Sequence, residues 1–390
     1  KGFSERTLRT LHAALVKLET EDSPFDPVPH LVQGHHWARP RLVAEIRYAE
    51  WTSAGKLRDS TYLGLRGDKS ADDLRAAAGA SAADLAEAAR LEEALREMED
   101  AGGAGTLHVG GVEIGVAHLD RPMYPGAPFT RGDLLRYYVR VAPYVLPAMR
   151  DRPLAVAYFP GSPGKRPVYR QTAPADAPPG VHVEAVQVGK ARKRMLVGGD
   201  LATLLFTVAR GAISYDPWHV RVTSPDAQDY VVLDLDPMPG AEFARVVEVA
   251  RAAREVAEQA GLPARLKTSG RAGLHVYMTM PPGTPVPGAA RVAERLAIEV
   301  TRRAKGIATT ERTAAARPRG SVYVDHLMSR RGANVAGAYA ARNTPHGTVS
   351  APLAWAELAE DLDPRAFTLD TLPVRVRAVG DLWAEGESEG

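Results

Sequence analysis

Two aspartates, Asp234 and Asp236, stand two positions apart in the apolar run YVVLDLDP, residues 230–237. Side chains alternate faces along an extended strand, so these carboxylates would share one face while Leu233 and Leu235 take the other. Like charges so placed repel and lose hydration unless a cation sits between them. Pro237 interrupts a strand ladder, which puts the pair near the strand's C-terminal edge, within reach of a ligand. An isolated Asp-x-Asp is common, and a pair of turn residues at a strand end remains the bland alternative. The segment SVYVDHL, residues 321–327, adds Asp325, again a carboxylate in an apolar strand, on the same face as Tyr323. Three such oxygen donors suit hard divalent cations. Two ions so held stabilise the attacking and leaving oxygens of an in-line phosphoryl displacement. Spacing alone leaves open whether Asp325 meets the other two.

Between these segments lies LKTSGRAGLHVYM, residues 266–278. Leu274, Val276 and Met278 fall on one strand face, which sends His275 and Tyr277 to the other. The turn before it, Ser269 to Gly273, offers a hydroxyl, an arginine and two glycines whose amides can approach an anion. It is not a P-loop, because the Gly-Lys-Ser/Thr ending and the following helix are both missing. His275 alone would read as a packed strand histidine; beside Ser269 and three aspartates, nucleotide phosphate binding is the sharper expectation.

These residues need elements to hold them. An amphipathic helix is predicted over Thr7 to Leu18, from Leu8, Leu11, Leu15 and Leu18 at helical spacing. A Pro-rich loop follows, then strands over Leu42 to Trp51 and Thr61 to Leu65. Residues 73–104 read as an Ala/Glu/Leu helix ending in Gly-Gly-Ala-Gly, a helical linker with a flexible stop. Beyond Thr106 strands and helices mix. Helices are expected after Thr130-Arg-Gly-Asp133, over Ala241 to Ala260, and over Ala289 to Ala304. The Pro/Gly stretch 159–180 is predicted to be a surface loop. There are no internal repeats.

The chain's 390 residues suffice for two or three domains. With no cysteine, disulfides, thiolate zinc sites and Cys nucleophiles are excluded, in keeping with a reducing cytoplasm. No apolar run approaches the ~20 residues of a membrane helix, and the opening KGFSERTLRT lacks the apolar core of a signal peptide. A formal net charge of +2 hides asymmetry. Residues 79–102 are acidic and Ala-rich. The runs Lys190 to Arg194 (KARKR), Arg302 to Lys305 and Arg312 to Arg319 are basic, and each is either a solvated face or a phosphate contact.

In this order, the segments resemble the archaeo-eukaryotic primase superfamily, and among its members the polymerase domain of bacterial ligase D. The resemblance extends over 106–375. It includes LDRPMYPGAPFTRGDLLRYYVRVAPYVLPAMRDRPLAVAYFPG, GGDLATLLFTVARGAISYDPW, DLDP, KTSGRAGLHVY, VYVDHL and AYAARNTPHGTVSAPLAWAEL. It implies that Asp234, Asp236 and Asp325 bind two catalytic ions, Mn2+ or Mg2+. Ser269, Arg271, His275 and Arg342 would contact the incoming nucleoside triphosphate, and Arg131, Arg170, Lys190 and Arg192 the DNA. The implied reaction adds nucleotides, with ribonucleotides favoured, to 3′ ends at gaps carrying a downstream 5′-phosphate. The setting would be non-homologous end joining with the Ku end-binding protein and a ligase module, at the nucleoid in the cytoplasm. The chain departs from the family in Ala272 for a usual Lys, in Arg170-Gln171 for Gln-Lys, in Arg131 for Lys and in Ala338 for Pro. The Lys losses weaken the expected 5′-phosphate grip, since Gln171 carries no charge.

The N-terminal text, KGFSERTLRTL and then HHWARPRLVAEIRYAEWTSAGKLRDSTYLGLRGDK, resembles the C-terminal half of a DNA ligase oligonucleotide-binding domain. Arg66, Asp68 and Lys69 match the last ligase motif. No K-x-D-G adenylation sequence is present, so this chain is not expected to ligate; it reads as a fragment of a longer ligase–polymerase polypeptide or as a degenerate remnant. The expected organisation is α+β. A partial OB-fold β region covers 1–72, a helical linker 73–105, a primase-like catalytic domain with a mixed β core 106–375, and a tail 376–390. Three alternatives stand. A haloacid-dehalogenase-type phosphatase fits Pro237 poorly. A primase proper fits the ligase-like N-terminus poorly. A catalytically inactive DNA-end scaffold would have no need of three mutually repelling aspartates.

Overall fold

The computed structural model describes residues 2–20, 36–47, 50–51, 57–65, 81–159 and 167–384. Two compact units emerge, Lys1–Ser81 with Val374–Asp381, and Ala82–Pro373 with Leu382–Gly390. The chain is α+β, with helices and strands mixed through the second unit.

In the first unit a helix, Glu5–Val16, starts at Ser4. Its hydroxyl accepts from the Thr7 amide at 3.2 Å while the Thr7 hydroxyl accepts from the Ser4 amide at 2.7 Å, satisfying two otherwise orphaned donors. Strand Ala44–Arg47 pairs antiparallel with Thr61–Leu65, with a register shift at Glu45/Ile46. Glu50–Trp51 pairs with Leu57–Arg58, so the expected strand 42–51 is divided. The ligase-motif residues Arg66, Asp68 and Lys69 lie outside the described residues.

The second unit is built around a six-stranded sheet, whose strands are labelled in chain order: β1 Tyr230–Pro237, β2 Ala264–Thr268, β3 Leu274–Thr279, β4 Ala308–Thr309, β5 Val322–Asp325 and β6 Pro352–Leu353. The spatial order is β4-β5-β1-β3-β2-β6, antiparallel except for β4 beside β5. Two helices, α1 Phe243–Gln259 and α2 Val286–Arg303, close one face. Val231, Leu233 and Leu235 of β1, Leu274, Val276 and Met278 of β3, and Val322 and Val324 of β5 form one core with Val246, Val249, Ala253, Ala293 and Val300 of the helices. Strict alternation along β1 and β3 then leaves Asp234, Asp236, His275 and Tyr277 on the opposite face. The chemistry sits on the side away from the two helices because the apolar partners take the other.

A second sheet joins Val168–Arg170, Leu154–Tyr158 and Ala212–Pro217. The stretch 159–180 thus holds a short edge strand where a loop was expected. Helix Arg131–Ala148 begins at Thr130, whose hydroxyl accepts from the Asp133 amide at 3.2 Å while Asp133 accepts from the Thr130 amide at 2.8 Å. Two buried tyrosines anchor this helix: Tyr138 donates to Ile213 O at 2.6 Å and accepts from the Ala341 amide at 3.0 Å, and Tyr137 donates to Tyr339 O at 2.6 Å. Together they fix the backbone leading into Arg342.

The helix Ala82–Asp100 lies within the stretch expected as a linker, yet it is packed. Leu91 and Leu95 are fully buried, and Glu99 and Glu92 bond Arg136 at 2.6 Å and Arg140 at 2.5 Å on the next helix. Residues 82–100 therefore belong to the second unit's own structure, and residues 66–80 lie outside the described residues. Leu95→Ala is expected to lower the stability of that unit by about 2–4 kcal/mol, measured by urea unfolding; a free linker helix would show no change.

Candidate functional site

Strand register gathers the polar residues into a row. Asp234 lies directly across from Asp325 on one side and from His275 on the other, and His275 lies across from Lys267. Four charged or titratable side chains thus cross β5, β1, β3 and β2 in one line on the face opposite the helices, half-buried at the Asp325 and Asp234 end and buried at His275 and Lys267. Asp236, two residues on, faces Tyr323.

Burial raises the pKa of all three aspartates by disfavouring their ionised forms. Asp236 is pushed further by Asp234 and Asp325, and eased by Arg317 and Arg271. At Asp325, the Leu327 amide donates to Oδ1 at 2.8 Å and counters part of the shift. Asp234 Oδ1 lies 3.2 Å from His275 Nε2 without hydrogen-bond alignment, and this buried oxygen has no hydrogen-bond partner. Among the described residues, no three His, Asp or Glu side chains form a finished metal-ligand set. The donors nonetheless suit a hard cation. They are all carboxylate oxygens, one is buried without a partner, and their mutual repulsion is what a divalent charge would relieve.

The turn after β2 is held from within. Ser269 Oγ accepts from the amides of Arg271 and Gly273, both at 3.1 Å, leaving its own hydrogen free to donate. Two glycines allow the close approaches. Gly270 has φ +69°, and a Cβ there would meet Arg342 Cγ at 2.4 Å; one at Gly273 would meet Leu235 O at 2.3 Å. Gly273→Ala is expected to push the turn off β1 and cost about 1–3 kcal/mol, read as a lowered urea midpoint with an unchanged m-value.

Cations and one further acid close the site. Arg342 Nη1 lies 3.8 Å from Asp216 Oδ1 and 3.5 Å from Ser214 Oγ, and Ser214 Oγ lies 3.1 Å from Asp216 Oδ1. Asp216 is buried and its pKa rises from desolvation, with Arg342, Ser214, Lys267 and Arg271 opposing. Arg317 stacks on Tyr323, its guanidinium carbon 3.4 Å from the ring centroid, and bonds Glu311 O at 2.9 Å. Burial drives Lys267 and His275 well below their ordinary values.

The residues expected to touch DNA are scattered. Lys190 and Arg192 are exposed at and beside the turn of the hairpin Val183–Val188/Ala191–Leu196. Arg170 is exposed on the edge strand, 6.0 Å from the Tyr158 ring centroid. Arg131 is engaged internally, donating to Ala117 O at 3.1 Å and Ala209 O at 3.5 Å. Ala272 is exposed in the Ser269–Gly273 turn.

Sequence reasoning assigned no role to Lys267, Asp216, Arg317 or Ser350. The signal for Lys267 was present: period-2 alternation puts it with Ser269 on one side of β2, and a charged side chain inside an apolar strand needs a partner. Ser350 gave no such signal, because its lysine partner comes from a distant segment, and nothing near Asp216 in sequence points to Arg342.

A mixed sheet bearing paired carboxylates beside a donor-rich turn is the fold of a primase-type polymerase domain. The chain belongs to the family of LigD primase-polymerase domains, whose model matches residues 130–383. Residues 1–69 match the C terminal region of ATP dependent DNA ligases. The chain is 26% identical to the multifunctional non-homologous end joining protein LigD of Pseudomonas aeruginosa, over 98% of this chain and 45% of that one. It is 27% identical to the bifunctional non-homologous end joining protein LigD of Bacillus subtilis, over 67% of this chain and 42% of that one. It therefore spans somewhat under half the length of these relatives. The polymerase domain of Mycobacterium tuberculosis ligase D, solved in complex with DNA, superposes with a TM-score of 0.64 at 26% identity, over 68% of this chain and 95% of that one. Among the described residues no helix is long and apolar enough to cross a membrane.

Proposed function

We propose that the second unit is a metal-dependent nucleotidyltransferase that adds nucleotides, ribonucleotides among them, to DNA 3′ ends during gap filling and end processing in bacterial non-homologous end joining. The observation that carries this is the register of Asp234 against Asp325 and His275, which sets three carboxylates beside the Ser269–Gly273 turn and Arg342. Family membership and the DNA-bound M. tuberculosis neighbour support the choice of substrate.

Asp234, Asp236 and Asp325 would hold one or two divalent ions, Mn2+ or Mg2+. Bound there, such ions neutralise the triphosphate and the charge that develops in transfer. Ser269 offers a hydroxyl hydrogen, the turn its exposed amides, and Arg271, His275 and Arg342 their N–H donors to the phosphate oxygens. A primer 3′-oxygen attacks the α-phosphorus, forming one P–O bond as the bond to pyrophosphate breaks. The protein's part is to align the groups and balance charge in a site that needs no covalent step. Arg170, Lys190 and Arg192 would meet the DNA backbone, whereas Arg131 is placed to hold its own helix start. The Ku end-binding protein and a ligase module would be the partners, as the sequence resemblance implies. The division into 1–72, a helical stretch 73–105, of which 82–100 pack against the helix Arg131–Ala148, and a catalytic region 106–375 is part of the same reading.

Primer extension on a gapped duplex with a downstream 5′-phosphate tests it. Mn2+ and each ribo- and deoxynucleotide are supplied, with the parent compared to Asp236→Ala. Addition by the parent that vanishes in the variant is expected. A parent that binds DNA but adds nothing would make the protein a DNA-end scaffold instead.

A further inference from the structure

Lys267 is fully buried in β2, directly across from His275. A buried lysine is costly; its charge eases the burial of Asp234 and Asp216, but it makes no direct contact with either carboxylate that would account for its placement. Its Nζ lies 2.6 Å from Ser350 Oγ and 2.7 Å from His275 Nδ1, and 5.6 Å from the centre of the Tyr277 ring. Ser350 Oγ in turn donates to Thr268 O at 2.7 Å. That bond uses the only hydroxyl hydrogen, so Ser350 can only accept from Lys267. The amine has at least one hydrogen left for His275 Nδ1, whether it carries two or three. Were Nδ1 protonated instead, a bare Nε2 lone pair would lie 3.2 Å from the Asp234 carboxylate, a repulsion that needs no hydrogen-bond alignment between them. Both ends of the ring thus favour the hydrogen on Nε2.

We propose that Lys267, anchored by Ser350, is the positioning residue that fixes His275 in its Nε2–H tautomer, so that the ring presents a donor toward the incoming triphosphate beside Asp234. The proposal rests on the polymerase reading for its ligand, but not for its tautomer. Lys267 touches no substrate; it acts through the histidine, as the partner of one ring nitrogen decides the role of the other.

The test is 15N NMR of His-labelled full chain without divalent ions, with His275 assigned by its loss in His275→Asn. Protonated and bare ring nitrogens are well separated in 15N shift. The parent is expected to carry hydrogen on Nε2. Lys267→Gln keeps an N–H donor for Nδ1 and should keep that tautomer, whereas Lys267→Met, of similar bulk but without a donor, should show a mixture. In primer extension, Lys267→Met should raise the nucleotide KM by about tenfold, with a smaller change in kcat; Lys267→Gln should recover much of that loss. An Nδ1–H tautomer in the parent overturns the proposal without recourse to any variant, so a misfolded Lys267→Met leaves it decidable. The same tautomer in Gln and Met variants that both fold also overturns it. A parent that adds no nucleotide removes the polymerase reading and the triphosphate half of the proposal, while the NMR arm still decides the tautomer.

Discussion

Asp236→Asn is expected to lower nucleotide addition by roughly 10²–10³-fold or more while making the cation-free protein harder to unfold. The two effects have one cause. Asp236 is held against Asp234 and Asp325 on a partly buried strand face, and those neighbours and desolvation push its pKa up. An ionised carboxylate there carries a repulsion that the fold must hold in place. Asparagine keeps the shape and removes the charge, so the melting temperature without divalent ions should rise by about 2–4 °C. Mn2+ should stabilise the parent by preferential binding to the folded state, and the variant much less. Thermal unfolding of both proteins, with and without Mn2+, checks this alongside primer extension. A variant that melts lower than the parent without metal would mean that Asp236 is a structural acid whose partners outweigh its repulsion. Full activity in the variant would remove it from the site.

The site was legible in the sequence to the extent that it obeys a two-residue period. Asp234 and Asp236, and His275 with Tyr277, could be placed on faces because alternation along an apolar strand leaves little choice. The α+β character and the two covering helices followed from the spacing of valines and alanines, though α2 begins at Val286 rather than Ala289, with Pro287 and Gly288 admitted in its first turn. What the period could not supply was pairing. That Asp234 meets Asp325 and His275 in one line depends on strand order β5-β1-β3-β2, which is set by how two helices cross one face. The Arg342 partner of Asp216 and the Lys267 partner of Ser350 were invisible for the same reason, since each lies more than 80 positions away. The helix at 82–100 was correctly seen as a helix, but its polar composition hid Leu91 and Leu95, which suffice to bury one stripe against the next helix. Arg131 shows the converse. Its Nη1 donates to two backbone carbonyls, a structural tie that the sequence pattern did not reveal.

Arg342→Met is expected to raise the nucleotide KM by about 10–100-fold, the loss of one or two charge-assisted hydrogen bonds worth about 1.5–3 kcal/mol in all, and also to destabilise the folded protein. The second effect arises at Asp216. That carboxylate is buried, and Arg342 is the first of the charges that oppose its desolvation. Without the guanidinium, Asp216 keeps Ser214 but loses its main cation, and the folded state should lose about 1–3 kcal/mol. Asp216→Asn tests the division of labour, because it removes the acid that Arg342 offsets. In Asp216→Asn/Arg342→Met the stability should return toward the parent, since no uncompensated charge is left, whereas the nucleotide KM should stay high. Urea unfolding and steady-state kinetics on the four proteins form a double-mutant cycle with strong coupling in stability and little in KM. If both quantities recover together in the double variant, Arg342 acts only as a counter-ion to Asp216, and the phosphate contact must be given to Arg271. If neither recovers, Asp216 is held by Ser214 alone and the 3.8 Å separation from Arg342 is too long to matter.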